Sequence, residues 1–144
     1  MKEQNYSNHT RLMAGFHFVL LPVLLLTLIG SGVNLYQSWG DHTRFYSAAL
    51  ILVLTVCAML AALLGRIGAM KAQDRAIRAE ENFRHYLLTG KPLDPRITVR
   101  QVIGLRFAPD DEFPALAAKA AAEGTSEDDI KKSLKNWKAD HYRV

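Results

Sequence analysis

The sequence of 144 residues has a single cysteine, Cys57, so no disulfide can form within the chain and no cysteine cluster can bind a metal. It also lacks the His-Glu-x-x-His pair of zinc peptidases and the glycine-rich loop of dinucleotide-binding proteins. The formal net charge is only +4, and the basic residues are spread out, unlike the concentrated patch of a nucleic-acid-binding protein. We therefore predict no catalytic, cofactor-binding or metal-ligating residue, no cofactor and no nucleic-acid partner.

Charged side chains are missing from two long stretches, residues 16–36 and residues 45–64. Each has about the 20 residues that a transmembrane helix needs. A cleaved signal peptide is the alternative for the first stretch, because Gly30, Ser31 and Gly32 follow an apolar run. The length of that run and its diffuse basic leader favour a transmembrane helical hairpin over residues 16–64, with an outer loop at residues 37–44.

Basic residues near the two stretches predict the orientation of this hairpin. Six lie on its open side, at Lys2, Arg11, Arg66, Lys71, Arg75 and Arg78. The connecting loop contains a single basic residue, Arg44. Because basic residues are enriched on the cytoplasmic side, both termini are expected in the cytoplasm. The N-terminal segment is then residues 1–15, and a cytoplasmic helical extension and domain covers residues 65–144.

Small residues recur at alternating intervals of three and four along the second predicted helix. They form a helix-packing seam at Ala58, Ala62, Gly65, Ala69, Ala72, Ala76 and Ala79, which continues to Phe83 and Tyr86. This average period of about 3.5 residues keeps a stripe on one side of a helix in a left-handed supercoil. The alternative is that alanine is merely a strong helix former. We expect the seam to contact another helix at close range.

The partner of the seam is left open by the sequence. Within the membrane it is the first span or a second copy of the chain, because small residues let helix backbones approach each other in lipid. Beyond Arg66 it is a second copy or the cytoplasmic helices, since Ala115, Ala118 and Ala122 could dock on the long helix. The long helix is expected to reach about Leu88, either straight or bent onto the membrane surface at its glycines.

Turn and capping residues divide the rest of the chain into short helices. Gly90 ends the long helix, Thr98 and Gln101 have the spacing of a capping box, and Gly124 and Ser126 separate the last two helices. The last helix is expected to run through Trp137. The predicted cytoplasmic core anchors are Phe83, Leu87, Ile130, Leu134 and Trp137.

Five segments carry a family resemblance. They read KEQNYSNHTR, FHFV, KAQDRAIRAEENFRHYLLTGKPLDPR, RQVIGLRFA and DIKKSLKNWKADHYRV, and together they cover most of the chain. In these segments the chain resembles an uncharacterised family of small bacterial two-span membrane proteins, described as a domain of unknown function. The resemblance implies a bacterial inner-membrane protein and supplies no activity, cofactor or site residue.

The predicted fold class is all-α, with a transmembrane helical hairpin whose second helix extends into a small cytoplasmic helical domain. The predicted function is a non-enzymatic interaction or scaffold protein, with the lipid bilayer and either a second copy or a membrane-complex subunit as partners. One alternative is a small oligomeric channel or transport accessory subunit, with Thr27 and Asn34 facing the pore. The other is a membrane enzyme with an unrecognised cytoplasmic site.

Overall fold

The computed structural model describes residues 4–9 and 12–140, and this part of the chain is helical between loops and contains no strand. A π-helical segment at Gly15–Leu20 precedes five α-helices: α1 (Leu21–Gln37), α2 (His42–Thr89), α3 (Val99–Leu105), α4 (Phe113–Glu123) and α5 (Glu127–Ser133). The predicted all-α class is confirmed. The described residues form two compact units: residues 12–69, here called the apolar unit, and residues 4–9 with 70–140, here called the polar unit.

A tight turn joins α1 to α2 in the apolar unit. Gly40 has a φ of +94°, in the region that favours glycine. The Asp41 carboxylate then caps α2 by accepting the backbone N–H groups of Thr43 (3.1 Å) and Arg44 (3.2 Å). The connection therefore holds only residues 38–41.

The start of the first long helix departs from α-helical geometry. The N–H of Leu21 donates to the carbonyl of Phe16, five residues back, at the end of the π-helical segment. Pro22 follows directly, and proline has no N–H to continue the α-helical pattern. The wider π-helical turn therefore lies next to the position at which one α-helical backbone hydrogen bond is missing.

The two long helices keep most of their apolar surface uncovered. Both are long and apolar enough to cross a membrane. In the most apolar window of each, only 6% of the first and 11% of the second is buried. A core helix of a water-soluble protein would be mostly buried, so that explanation does not fit either helix.

The polar unit has a hydrophobic core of its own. Its largest fully buried side chains come from α3, from the loop after it, and from α4 and α5: Val102, Leu105, Phe107, Phe113 and Ile130. Ile77 is the contribution of α2 to this core. The core therefore combines the C-terminal part of α2 with the three short helices.

Gly104 lets α3 and α5 approach closely. A Cβ atom at this position would lie 2.9 Å from the carbonyl oxygen of Glu127 and 3.3 Å from the Cβ of Ile130. Only the absence of a side chain leaves room for the backbone of α5.

Four predicted helix boundaries are confirmed, at Gly90, Thr98, Gly124 and Ser126. Gly90 (φ +73°) follows α2, and Gly124 (φ +65°) follows α4, both in the left-handed conformation. The Thr98–Gln101 capping box begins α3, and the Ser126 side chain accepts a backbone N–H from the first turn of α5.

The last helix is shorter than predicted. It ends at Ser133, and Leu134 is extended, with φ −66° and ψ 125°. The next backbone donors bind partners elsewhere: the N–H groups of residues 135 and 136 donate to the Glu112 carboxylate (3.1 Å each), and that of Lys138 donates to the Phe107 carbonyl (2.8 Å). The prediction that this helix continues through the following tryptophan is wrong, because these long-range acceptors replace its next turn.

The buried face of α4 also differs from the prediction. Ala117 and Ala120 are buried, whereas Ala115, Ala118 and Ala122 are exposed and do not dock on α2. The fully buried ring of Phe113 at the start of the helix sets this face, because positions four and seven residues later lie on the same side.

Candidate functional site

A charged cluster around Arg84 joins α2 to the loop before α4. The guanidinium donates to the Asp110 carboxylate from Nε (2.7 Å) and to the Glu81 carboxylate from Nη1 (2.9 Å). It also donates from Nη2 to the Ala108 carbonyl oxygen (2.7 Å) and lies 4.5 Å from the centre of the Phe113 ring. The planar fork of arginine suits this geometry, in which one side chain binds several acceptors.

The two carboxylates of this cluster are in different environments. Burial raises the pKa of Glu81, although the hydrogen bond from Arg84 opposes that shift. Asp110 is exposed, and the hydrogen bond from Arg84 lowers its pKa. Because the guanidinium binds three acceptors within the protein, the cluster ties elements together and leaves little donor capacity for a ligand.

Residues 4–9 dock on the C-terminal part of the polar unit. The Tyr6 hydroxyl donates to Asp128 Oδ1 (2.6 Å), and Lys132 pairs with Asp128 Oδ2 (2.6 Å). Lys132 and Tyr6, as donors, lower the pKa of Asp128. The hydrogen bond to Asp128 in turn raises the pKa of Tyr6. The Asp140 N–H donates to the side-chain oxygen of Gln4 (2.8 Å). The contacts join segments that lie more than a hundred residues apart in sequence.

The imidazole of His9, at the end of this docked segment, contacts both the segment and the core of the polar unit. Its Nδ1 is 2.6 Å from the carbonyl oxygen of Tyr6, which can only accept, so Nδ1 carries the proton. Nε2 is then free to accept from the Lys131 ammonium at 3.3 Å. The ring also packs 5.9 Å from the Phe107 ring and 5.7 Å from the Trp137 ring, centre to centre. His9 therefore has a packing role in the docked segment.

Two open cavities flank the loop after α2. One, of about 450 Å³, is lined in part by Arg75, Arg78 and Asp94; the other, of about 330 Å³, is lined in part by His85 and Asp94. The Arg96 guanidinium binds Asp94 and lowers its pKa to about 2. This carboxylate is therefore engaged in an ion pair. Within residues 4–9 and 12–140, no group of three His, Cys, Asp or Glu side chains could hold a metal ion.

The structure shows where each residue of the seam lies. Ala62 is partly buried, and the other members are exposed: Ala58, Gly65, Ala69, Ala72, Ala76 and Ala79. A Cβ atom built on Gly65 would meet nothing within 4 Å. The contact of this seam with another helix stays a prediction.

The residues predicted to anchor the core divide into two groups. Ile130 and Leu134 lie in the core of the polar unit, and Trp137 packs against it while partly buried. Phe83 and Leu87 are exposed, so their assignment as core anchors is corrected. Phe83 and Leu87 are exposed because the core covers a different face of α2. That face carries Ile77, Glu81 and Arg84.

Sequence reasoning missed Gly104 and the Arg84 cluster. A glycine inside an apolar helical pattern was the available signal for the close approach of α3 to α5. For Arg84 there was no comparable signal, because Ala108 and Asp110 are distant in sequence and only the fold brings them near.

These observations define a helical protein with two candidate membrane-spanning helices and a compact polar unit. The chain belongs to the family of unknown function DUF6526, whose model matches residues 1–144. This confirms the resemblance to an uncharacterised family. No curated protein and no solved structure matches the chain significantly.

Proposed function

We propose that this protein is a non-enzymatic interaction or scaffold protein that α1 and the first part of α2 anchor in a bacterial inner membrane. The polar unit would then be presented in the cytoplasm. The proposal is based on the exposed apolar surface of the two long helices. The polar unit, in contrast, buries a hydrophobic core of its own. A lipid bilayer is the environment in which such exposed apolar helices are stable.

The docking of residues 4–9 supports the proposed topology. This segment precedes α1, and it contacts Asp128 and Asp140, which follow α2. Segments in contact lie on the same side of a membrane, so the chain between them would cross an even number of times. The basic residues around Arg66 then favour the cytoplasm for that side.

The charged groups of the polar unit support a non-enzymatic role. Arg84, Asp94 and Asp128 are each bound to oppositely charged partners within the unit. A catalytic site usually holds titratable groups in a concave pocket, aimed at a substrate. Here each of these charged groups is instead paired within the unit: the pair of Arg84 with Asp110 joins α2 to the loop before α4, and the pairs of Asp94 and Asp128 lie within one loop and one helix.

Thiol labelling in intact cells tests the topology. In a Cys57→Ser background, His42→Cys should react with an impermeant reagent, because His42 is exposed next to the outer turn. Ser7→Cys and Ser133→Cys, both at exposed positions, should react only after the cells are permeabilised. Labelling of Ser133→Cys in intact cells would contradict the proposed orientation, and extraction of the chain from membranes without detergent would contradict anchoring.

A small oligomeric channel is the second candidate. Asn34 and Thr27 are exposed on α1, where an oligomer could turn them toward a pore. In that case, liposomes containing the purified chain should conduct ions, and Asn34→Val should change the conductance. The absence of conductance in liposomes that hold the oligomer would remove this candidate.

A further inference from the structure

The C-terminal part of α2 exposes large apolar side chains in the polar unit. Phe83 is 62% exposed, Tyr86 is 53% exposed and Leu87 is 68% exposed. Positions three and four residues apart are neighbours on a helix surface, so these three side chains form one patch. A contiguous apolar patch in a water-facing region is typical of an interaction surface.

The core of the polar unit covers a different side of the same helix. Ile77 and Glu81 are buried, and Arg84 is bound by the loop before α4. The short helices therefore cover the face of Ile77, Glu81 and Arg84 and leave the patch open. Beyond Arg66, the sequence allowed either the short helices or a second copy of the chain as the partner of the seam. Because the short helices cover another face, the geometry favours a second copy.

The spacing of residues on the open face matches a two-stranded coiled coil. Ala76 and Phe83 occupy a positions, and Ala72, Ala79 and Tyr86 occupy d positions of one heptad register. All five side chains are exposed. Small residues followed by aromatic ones would let two helices approach closely at one end and pack larger side chains at the other.

The charges beside this face fit a parallel arrangement. In the same register Arg75 occupies a g position, and Glu80, five residues later, occupies an e position. In a parallel, in-register pair, each g residue faces the e residue of the next heptad on the other helix. Arg75 of one copy would thus meet Glu80 of the second copy, and both residues are exposed. The next pair, Asn82 with Leu87, brings no like charges together, and Asn82 Oδ1 already accepts the Leu93 N–H of its own chain (2.9 Å).

We propose that this face of α2 binds a second copy of the chain, packed parallel and in register, with Phe83 and Tyr86 as its large apolar contacts and Arg75 paired with Glu80 of the second copy. The proposal rests on the membrane anchoring proposed above, since two copies in one membrane share an orientation. It identifies the partner as a second copy and gives the two-fold related surfaces that meet.

Disulfide cross-linking of the full-length chain in native membranes tests the contact. In a Cys57→Ser background, Ala76→Cys and Ala79→Cys should form dimers at least about fivefold more efficiently than Arg78→Cys, because only a and d positions bring their Cβ atoms within disulfide range. Arg78 is an exposed neighbour on the same helix and serves as the matched control. Equal cross-linking at the three positions would overturn the proposal.

Charge exchange tests the parallel register. Arg75→Glu alone should weaken dimerisation of the detergent-purified chain about two- to fivefold, the size expected for an exposed ion pair. Arg75→Glu combined with Glu80→Arg should restore it, since the pair is then reversed. A double variant that stays as weak as Arg75→Glu alone would contradict this register.

Phe83→Lys tests the centre of the patch without disturbing the core. Dimerisation should fall by about tenfold or more, as expected for a large aromatic side chain that an interface buries, while the thermal unfolding of the monomer should not change. Unchanged dimerisation would overturn the proposal. Extraction separates the two proposals: a monomeric chain that stays in the membrane without detergent refutes only the dimer, whereas a chain that leaves the membrane without detergent refutes the anchoring.

Discussion

At the scale of single residues, Arg84 binds three acceptors with one guanidinium. Replacing it with lysine keeps the charge but removes the fork, so the Ala108 carbonyl or one carboxylate is left without its donor. Arg84→Lys should lower the free energy of unfolding of the polar unit by about 2 kcal/mol, the scale of a lost hydrogen bond to a charged group. The fluorescence of Trp137 in denaturant, in a Trp39→Phe background, would measure this.

The control for this change is Arg78→Lys, an exposed arginine on the same helix. We expect an effect within about 0.5 kcal/mol, which is usual for surface substitutions. If the two variants were equally stable, Arg84 would not hold the polar unit together as its contacts indicate.

Glu81 gives the stability a pH dependence of unusual sign. Because burial raises its pKa in the folded state, the stability that this carboxyl contributes is present below its unfolded pKa and lost as pH rises through the folded value. Relative to Glu81→Gln, the native protein should therefore become less stable as pH rises from about 4 to about 7. Denaturant unfolding of both proteins at the two pH values would measure the change.

Asp110 provides the matched control with the opposite sign. Arg84 lowers the pKa of this carboxyl, so its contribution is present above the unfolded pKa and lost as pH falls through the folded value. Relative to Asp110→Asn, the native protein should gain stability as pH rises. If the stability relative to Glu81→Gln and the stability relative to Asp110→Asn changed in the same direction with pH, the environments of the two carboxylates would be misassigned.

At the scale of elements, the contact between α3 and α5 depends on Gly104. Alanine favours a helix over glycine by about 1 kcal/mol, yet a Cβ here would lie 2.9 Å from the Glu127 carbonyl oxygen. Gly104→Ala should therefore destabilise the polar unit, by about 1 to 3 kcal/mol in total, as overpacking does. Gly68→Ala is the comparison for helix propensity alone, since nothing lies within 4 Å of its Cβ position and it lies in the apolar unit, so the polar unit should keep its stability. A stable Gly104→Ala variant would contradict the close approach.

Which elements could be predicted depends on where their hydrogen bonds go. The capping box of Thr98 and Gln101 and the left-handed Gly90 are local, so short sequence patterns were sufficient. The end of α5 was missed because the donors that follow Ser133 bind Glu112 and Phe107, far back in the sequence. A periodicity argument extends a helix until a local stop signal appears, and none appears there.

The seam shows a second limit of sequence reasoning. Its spacing identified a regular face of α2 but could not tell which face the polar unit would cover. Ile77 and the charged Glu81 lie on the covered face, whereas the apolar Phe83 and Leu87 are exposed, so local hydropathy favours the wrong face. That choice is made by the packing of three later helices, which no single window of sequence contains.

At the scale of the whole molecule, the apolar and polar units should unfold separately. Helices in a detergent micelle keep their hydrogen bonds within each segment, so denaturant affects them little. The polar unit depends on burying its hydrophobic core away from water and on its ion pairs, which denaturant weakens, so it should unfold first. Trp137 fluorescence, in the Trp39→Phe background, should therefore change at lower urea concentration than the far-ultraviolet circular dichroism of the chain. Coincident transitions would mean that the chain is one cooperative unit.

The docking of residues 4–9 on residues 128–140 also has a consequence for biosynthesis. A ribosome makes the first segment before α1 and the second only after α2, so the earlier segment must wait for its binding surface. By then both apolar helices have already been synthesised. The polar unit would thus be completed only late in translation or afterwards, and the contact between Tyr6 and Asp128 would mark a chain whose synthesis has passed both helices.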